Sequence, residues 1–106
     1  MKYDIDQTFL DLEGEPILEG VKEDAKPFTL RAMLTLACLN ADPQKYADGE
    51  AKYKVYKLLR RLGSKAKELG FESDDIILLK DIVGRVFNVY VVGLIYDVLE
   101  KKDEPS

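Results

Sequence analysis

Residues 89–99 read VYVVGLIYDVL, from Val89 to Leu99, and the fold turns on whether they coil or extend. Their β-branched and aromatic residues favour a strand. Val91, Val92, Ile95, Val98 and Leu99 also recur at the spacing of one helical face, and Asp97 and Glu100 fall off it. A strand here would need a partner far away in sequence, so the helical reading is preferred. That helix would be apolar on more than one face, since Val89, Val91, Val92, Leu94, Ile95, Val98 and Leu99 cannot all point one way. Apolar surface left uncovered on a soluble monomer is usually buried against something else. The expectation is a homodimer or larger assembly through this helix, with Leu94 and Ile95 at the contact and Gly93 permitting close approach.

Working back along the chain, Asn88 marks a break. Ser73 is read as an N-cap, with Asp74 and Asp75 at the positive end of the helix dipole. Ile76, Leu79, Ile82, Val83 and Val86 then supply a buried face. A longer helix is expected from about Glu50 to Leu69. Its apolar side is Ala51, Val55, Leu58, Leu59, Leu62, Ala66 and Leu69, and Gly63 is a point where it could kink or end. Lys54, Lys57, Arg61 and Lys65 run along the opposite side. Asp42-Pro43 could cap a short turn before Gly49. Thr29 is the expected N-cap of a helix whose stripe is Leu30, Met33, Leu34, Ala37 and Cys38. Leu36 and Leu39 would widen that stripe and bury the helix deeply.

Ahead of these helices, residues 3–18 read as a β-hairpin. Tyr3, Ile5, Phe9, Leu10 and Leu12 suit a strand, Glu13-Gly14 suits a tight turn, and Ile17 and Leu18 begin the return. The fold class is therefore α+β, mainly α: an N-terminal hairpin followed by three to five helices. We expect one domain over residues 1–106, with a hairpin arm at 1–20, a helical core at 29–100 and a flexible tail at 101–106. A chain of 106 residues is long enough to bury a core without staples.

Composition narrows the chemistry. The chain has no histidine and one cysteine, Cys38. It cannot supply a Ser-His-Asp triad, a Cys-His pair, an imidazole metal ligand or an internal disulfide. Cys38 lies within an apolar stripe and reads as core. Asp4 and Asp11 both fail as the start of an EF-hand loop, because Phe9 and Pro16 fall where glycine is required. The glycines form neither GxGxxG nor a P-loop. No catalytic, metal or cofactor-binding residue is expected, and no cofactor. No stretch reaches the eighteen apolar residues that read as a membrane span, and Met1 to Leu12 does not resemble a secretory leader. A cytoplasmic location follows, with no membrane partner.

Charge is distributed unevenly around a net of -4. Residues 1–25 carry eight acids against two lysines, and residues 45–67 carry eight bases against Asp48 and Glu50. The two regions can attract each other, within the fold or between copies. The net acidity makes nucleic acid an unlikely partner. Tyr53 shares a face with Lys57, and tyrosine and arginine are enriched in protein contacts. Tyr53, Lys54, Lys57 and Arg61 are therefore read as candidates for a protein interface, with Leu94 and Ile95 as a second set.

Three patterns taken together carry a resemblance. They are DLEGEPILEG (Asp11 to Gly20), KYKVYKLLRRL (Lys52 to Leu62) and SDDIILLKDIVGRVFNVYVVGLIYDVLE (Ser73 to Glu100). In this order they resemble small uncharacterised proteins of tailed bacteriophages and prophages. The SKAKELG stretch before the acidic cap departs from that pattern. The resemblance implies a hairpin-plus-helices fold and a phage setting, in the host cell cytoplasm or associated with the virion, and its motifs include no catalytic one. The function expected is a small non-enzymatic protein working through protein contacts, in virion assembly or as an accessory factor, and as a homo-oligomer. Two alternatives stay open: an acidic inhibitor of a host defence or nucleic-acid-handling complex, and a nucleic-acid-binding regulator using the basic helix at 50–69.

Overall fold

The structure is a computed structural model that describes residues 2–19 and 26–100. The tail expected at 101–106 and most of the connection expected at 20–27 lie outside the described residues. The elements run β1 (Lys2–Asp4), β2 (Leu18–Glu19), β3 (Lys26–Pro27), α1 (Leu30–Leu39), α2 (Gly49–Leu62), β4 (Glu68–Gly70), α3 (Ser73–Val86) and α4 (Val89–Leu99). The chain is α+β and mainly α, with antiparallel strand pairs and four helices among the described residues.

Helix α1 is central, packing against both α2 and α3, while α4 packs on α3. Its buried residues are Leu30, Met33, Leu34, Ala37 and Cys38, the stripe read from sequence. Thr29 is the N-cap and accepts from the Ala32 amide. The first-turn amides of Leu30 and Arg31 donate to the carbonyls of Gln7 and Ile5, so the N-terminal segment satisfies groups the helix leaves open. Leu36 and Leu39 do not widen the stripe: both are exposed, because α1 is covered on two sides and open on the third. Burial pushes the Cys38 thiol up to about 12. The native protein should therefore resist thiol reagents, and Cys38→Ala should cost about 1–2 kcal/mol by loss of packing. Rapid labelling under native conditions would count against this.

The hairpin is shorter than expected, and its first strand pairs elsewhere. Gly14 adopts φ +83° in a turn where Asp11 Oδ1 accepts from the Glu13 and Glu15 amides. Around it Leu10 bridges Pro16 and the Ile17 amide donates to the Phe9 carbonyl. Tyr3 instead lies opposite Leu69 in an antiparallel β1–β4 pair. The cause is local: the Asp6 amide donates to Asp4 Oδ1 and the Gln7 side chain to the Asp4 carbonyl, turning the chain before Phe9. Leu18 and Glu19 pair with Pro27 and Lys26.

Helix α2 ends at Leu62, with Gly63 as its C-cap, rather than running on to Leu69. Ala66 falls in the following loop, and Leu69 in β4. Helix α3 starts one residue earlier in its cap than expected: Glu72 is the N-cap, and its amide donates to Asp75 Oδ2. Segment 89–99 is helical, capped by the Asn88 side chain accepting from the Val91 amide. Of the two glycines in helix interiors, Gly84 and Gly93, Gly84 has a reason in packing. A Cβ there would stand 2.9 Å from the Tyr96 hydroxyl, which donates to the Lys80 carbonyl and clips α4 to α3. No helix among the described residues is long and apolar enough to cross a membrane.

Candidate functional site

Helix α2 buries Val55, Leu58 and Leu62 against the core and turns the rest of its surface outward. Counting about 100° per residue, Tyr53 and Arg60 project close to the direction opposite the buried stripe, with Tyr56 and Lys57 to either side. Tyr53 is 57% exposed and Tyr56 47%. The two rings stack at 5.9 Å between centroids and 18° between planes. Lys57 Nζ lies 4.9 Å from the Tyr53 centroid. Arg60 covers the Tyr56 ring at 5.9 Å and donates to its hydroxyl at 2.9 Å. The i, i+3 and i, i+4 spacings make these contacts, so the helix backbone itself presets the surface.

Beside this face runs a groove of about 1210 Å³ between α2 and α3, larger than a typical small-molecule pocket. Lys54, Lys57 and Arg61 line one side, Asp74, Asp75 and Asp81 the other, and Leu58, Phe71 and Leu78 lie between. The structure thus brings together Tyr53, Lys54, Lys57 and Arg61 from the sequence candidates. It separates Leu94 and Ile95 from them, since both lie on α4. Ile95 is fully buried in the core and is not available to a partner. Leu94 is half-buried against the same core. The broad apolar surface of α4 is taken up largely within the chain, leaving Val89 as its one strongly exposed large apolar residue.

Arg61 also differs from a simple surface cation. It donates to Asp75 Oδ2 at 2.8 Å and to the Gly70 carbonyl, and its guanidinium sits 5.1 Å from the Phe71 ring. It fastens α2 to the start of α3, so reversing its charge strikes the fold as well as any contact.

Sequence reasoning did not find the polar cluster at the far end of the groove. Tyr46 is buried, and its hydroxyl donates to Asp81 Oδ2. Lys45 Nζ lies 3.2 Å from Asp81 Oδ1, and Arg85 bridges Asp81 and Asp42. The turn carrying Tyr46 is the one Asp42 caps, accepting from the Gln44 amide. An ADPQKY turn flags the cap but not the partner, thirty-five residues away.

Two carboxylates here are held below the usual range. For Asp81 the Tyr46 hydroxyl is the main cause, with Lys45 and Arg85 adding to it against a cost of burial. For Asp75 burial pushes upward, but the Glu72 amide and Arg61 together outweigh it. Both folded values lie below the unfolded one, so their stabilisation is complete above about pH 4 and is lost as pH falls through the folded values. Denaturant titrations should show stability declining below about pH 4, and Asp81→Asn should flatten that acid limb. An unchanged limb in the variant would show that Asp81 does not contribute. Burial raises the Tyr46 hydroxyl far above its ordinary value. The described residues contain no cluster of three or more metal-ligating side chains. No family model, no curated protein and no solved structure matches the chain.

Proposed function

We propose that this is a small non-enzymatic protein of phage or prophage setting that works in the host cytoplasm by holding a protein partner on the outer face of α2. The observation that carries this reading is the stacked Tyr53–Tyr56 pair framed by Lys57 and Arg60. These rings and cations are already ordered by the helix before any partner arrives, which lowers the entropy lost on binding. Tyrosine and arginine are also the residue types that most often dominate binding energy at interfaces. The mixed charges of the adjoining groove suit a protein surface better than a polyanion, because Asp74 would face the phosphates.

A photo-crosslinking side chain at position 53, introduced in the producing cell, tests the reading. The expected result is a discrete protein adduct that disappears when Lys57→Glu and Arg60→Glu are combined, with thermal stability little changed because exposed charges contribute little. The same probe at exposed Asp97 should give no such adduct. Adducts to nucleic acid, or protein adducts equal at both positions, would overturn it.

A further inference from the structure

Among the described residues, two of the groups of exposed apolar side chains sit among charges of opposite sign. One is the α2 face, where Tyr53 and Tyr56 stand among Lys54, Lys57 and Arg60. The other is the turn around Gly14. There Leu12 is 82% exposed and Leu10 56%, and the neighbouring charges are Glu13 and Glu15, both exposed. Asp11 is committed to the turn itself, accepting from two amides, so the shape that presents the leucines and glutamates is fixed.

These surfaces match in kind: leucine against aromatic ring, carboxylate against ammonium and guanidinium. Within one molecule they are held apart. The Tyr90 hydroxyl donates to the Leu10 carbonyl at 2.9 Å and holds the turn against the start of α4, whereas α2 packs on α1. Among the described residues no ion pair joins Glu13 or Glu15 to a cation of α2.

We infer that the acidic, leucine-bearing turn of one copy docks on the tyrosine-and-cation face of α2 in the next copy. The contact is heterologous, so each molecule offers one surface and uses the other, and copies add head to tail. This deepens the reading of α2 as a protein-binding face and rests on it. The occupant is a second copy of this chain rather than a different protein. Such a mode replaces the symmetric contact through α4 expected from sequence, because Ile95 is buried and the complementary charges lie elsewhere.

Sedimentation velocity of the purified full chain at high micromolar concentration tests it. The runs are made at about 0.01 M and about 1 M ionic strength, where the screening length falls from about 30 Å to about 3 Å. The expected result is a weight-average mass at least twice the 12.0 kDa of one chain at low salt, returning toward 12.0 kDa at high salt. Two charge-reversed proteins sharpen the test: Glu13→Lys with Glu15→Lys, and Lys57→Glu with Arg60→Glu. Each alone should be monomeric at low salt. Mixed in equal amounts they should associate again, since every turn then meets an α2 face of opposite charge. Circular dichroism confirms that both are folded, and Tyr53→Ala with Tyr56→Ala provides an uncharged variant that should also be monomeric. Wild-type protein that stays at 12.0 kDa at low salt overturns the inference, as does a salt-insensitive dimer or failure of the mixture to reassociate. A crosslink from position 53 to a different protein, with a monomeric wild type, would overturn this inference and leave the α2 face as a binding surface. Loss of position-specific protein crosslinking would remove both.

Discussion

Replacing Arg31 with alanine should be among the most damaging single changes to a charged residue in this protein. The guanidinium reaches from α1 to the end of α2 and donates to the carbonyls of Leu62, Ser64 and Ala66, while its Nε pairs with Asp6 at 3.1 Å. Those carbonyls belong to the last turn of α2 and the loop after it, which have no helical partners of their own. One planar fork thus ends α2, shapes the loop into β4 and ties the N-terminal segment to α1. Hydrogen bonds to a charged donor contribute about 1.5–3 kcal/mol each, and partial rehydration of the freed carbonyls returns some of that, so Arg31→Ala should cost about 2–4 kcal/mol. For a chain of this size the melting temperature should fall by at least about 10 °C. Arg31→Lys should recover less than half, because a single ammonium cannot serve three diverging carbonyls. Urea unfolding of the three proteins checks this. A loss under about 0.5 kcal/mol in Arg31→Ala would show that water caps α2 as well as the guanidinium does.

Arg31 also shows where sequence reading stops. The apolar stripe of α1 was legible down to its five buried members because a helix of period 3.6 leaves a pattern in a single stretch. Thr29 and Asn88 were legible as caps or breaks for the same reason: the signal and its effect lie within a few residues. Helix was preferred over strand at 89–99 because a strand there would need a partner far away in sequence, and the segment is helical. What was not legible depends on partners far apart in the chain. Nothing near Arg31 announces three acceptors at residues 62–66, and nothing near Tyr46 announces Asp81. The sequence left two ends open for α2, Gly63 and Leu69, and the choice between them turns on such distant partners. Ala66 and Leu69 continue the apolar periodicity past Gly63, but the carbonyls there are claimed by Arg31 and the strand by Tyr3. Leu36 and Leu39 failed in the opposite direction, since a wide apolar stripe says how much surface could be buried and not how many neighbours arrive to bury it. On the candidate surface, Tyr53, Lys54 and Lys57 were readable from helical spacing alone. Arg61 was readable in the same way, but its tie to the fold was not, because its contacts with Gly70, Phe71 and Asp75 belong to the next two elements.

The second large effect should come from Tyr3, the central residue of β1. Tyr3 is buried, its ring lies 5.6 Å from that of Phe71, and its hydroxyl donates to the Leu99 carbonyl at 3.0 Å. The bond joins positions 96 apart in sequence and satisfies a carbonyl at the C-terminal end of α4. The backbone of the same residue pairs with Leu69. Truncation therefore acts in three places together: β1 loses its inward side chain, Phe71 loses the tilted ring beside it and α4 loses its end tie. Removing a buried aromatic ring costs about 3–5 kcal/mol, so Tyr3→Ala should consume a large share of the stability of a domain this small. Tyr3→Phe keeps the ring and drops only the hydrogen bond, and should cost about 1 kcal/mol. The two variants divide packing from hydrogen bonding at one site. Urea unfolding gives the free energies, and amide exchange near Glu100 reports the end of α4 directly. Faster exchange there in Tyr3→Phe, with the core amides unchanged, is the expected local signature. A Tyr3→Ala loss no larger than that of Tyr3→Phe would mean that the β1–β4 pair is an appendage rather than part of the core, and that the helices hold together without the N-terminal strand.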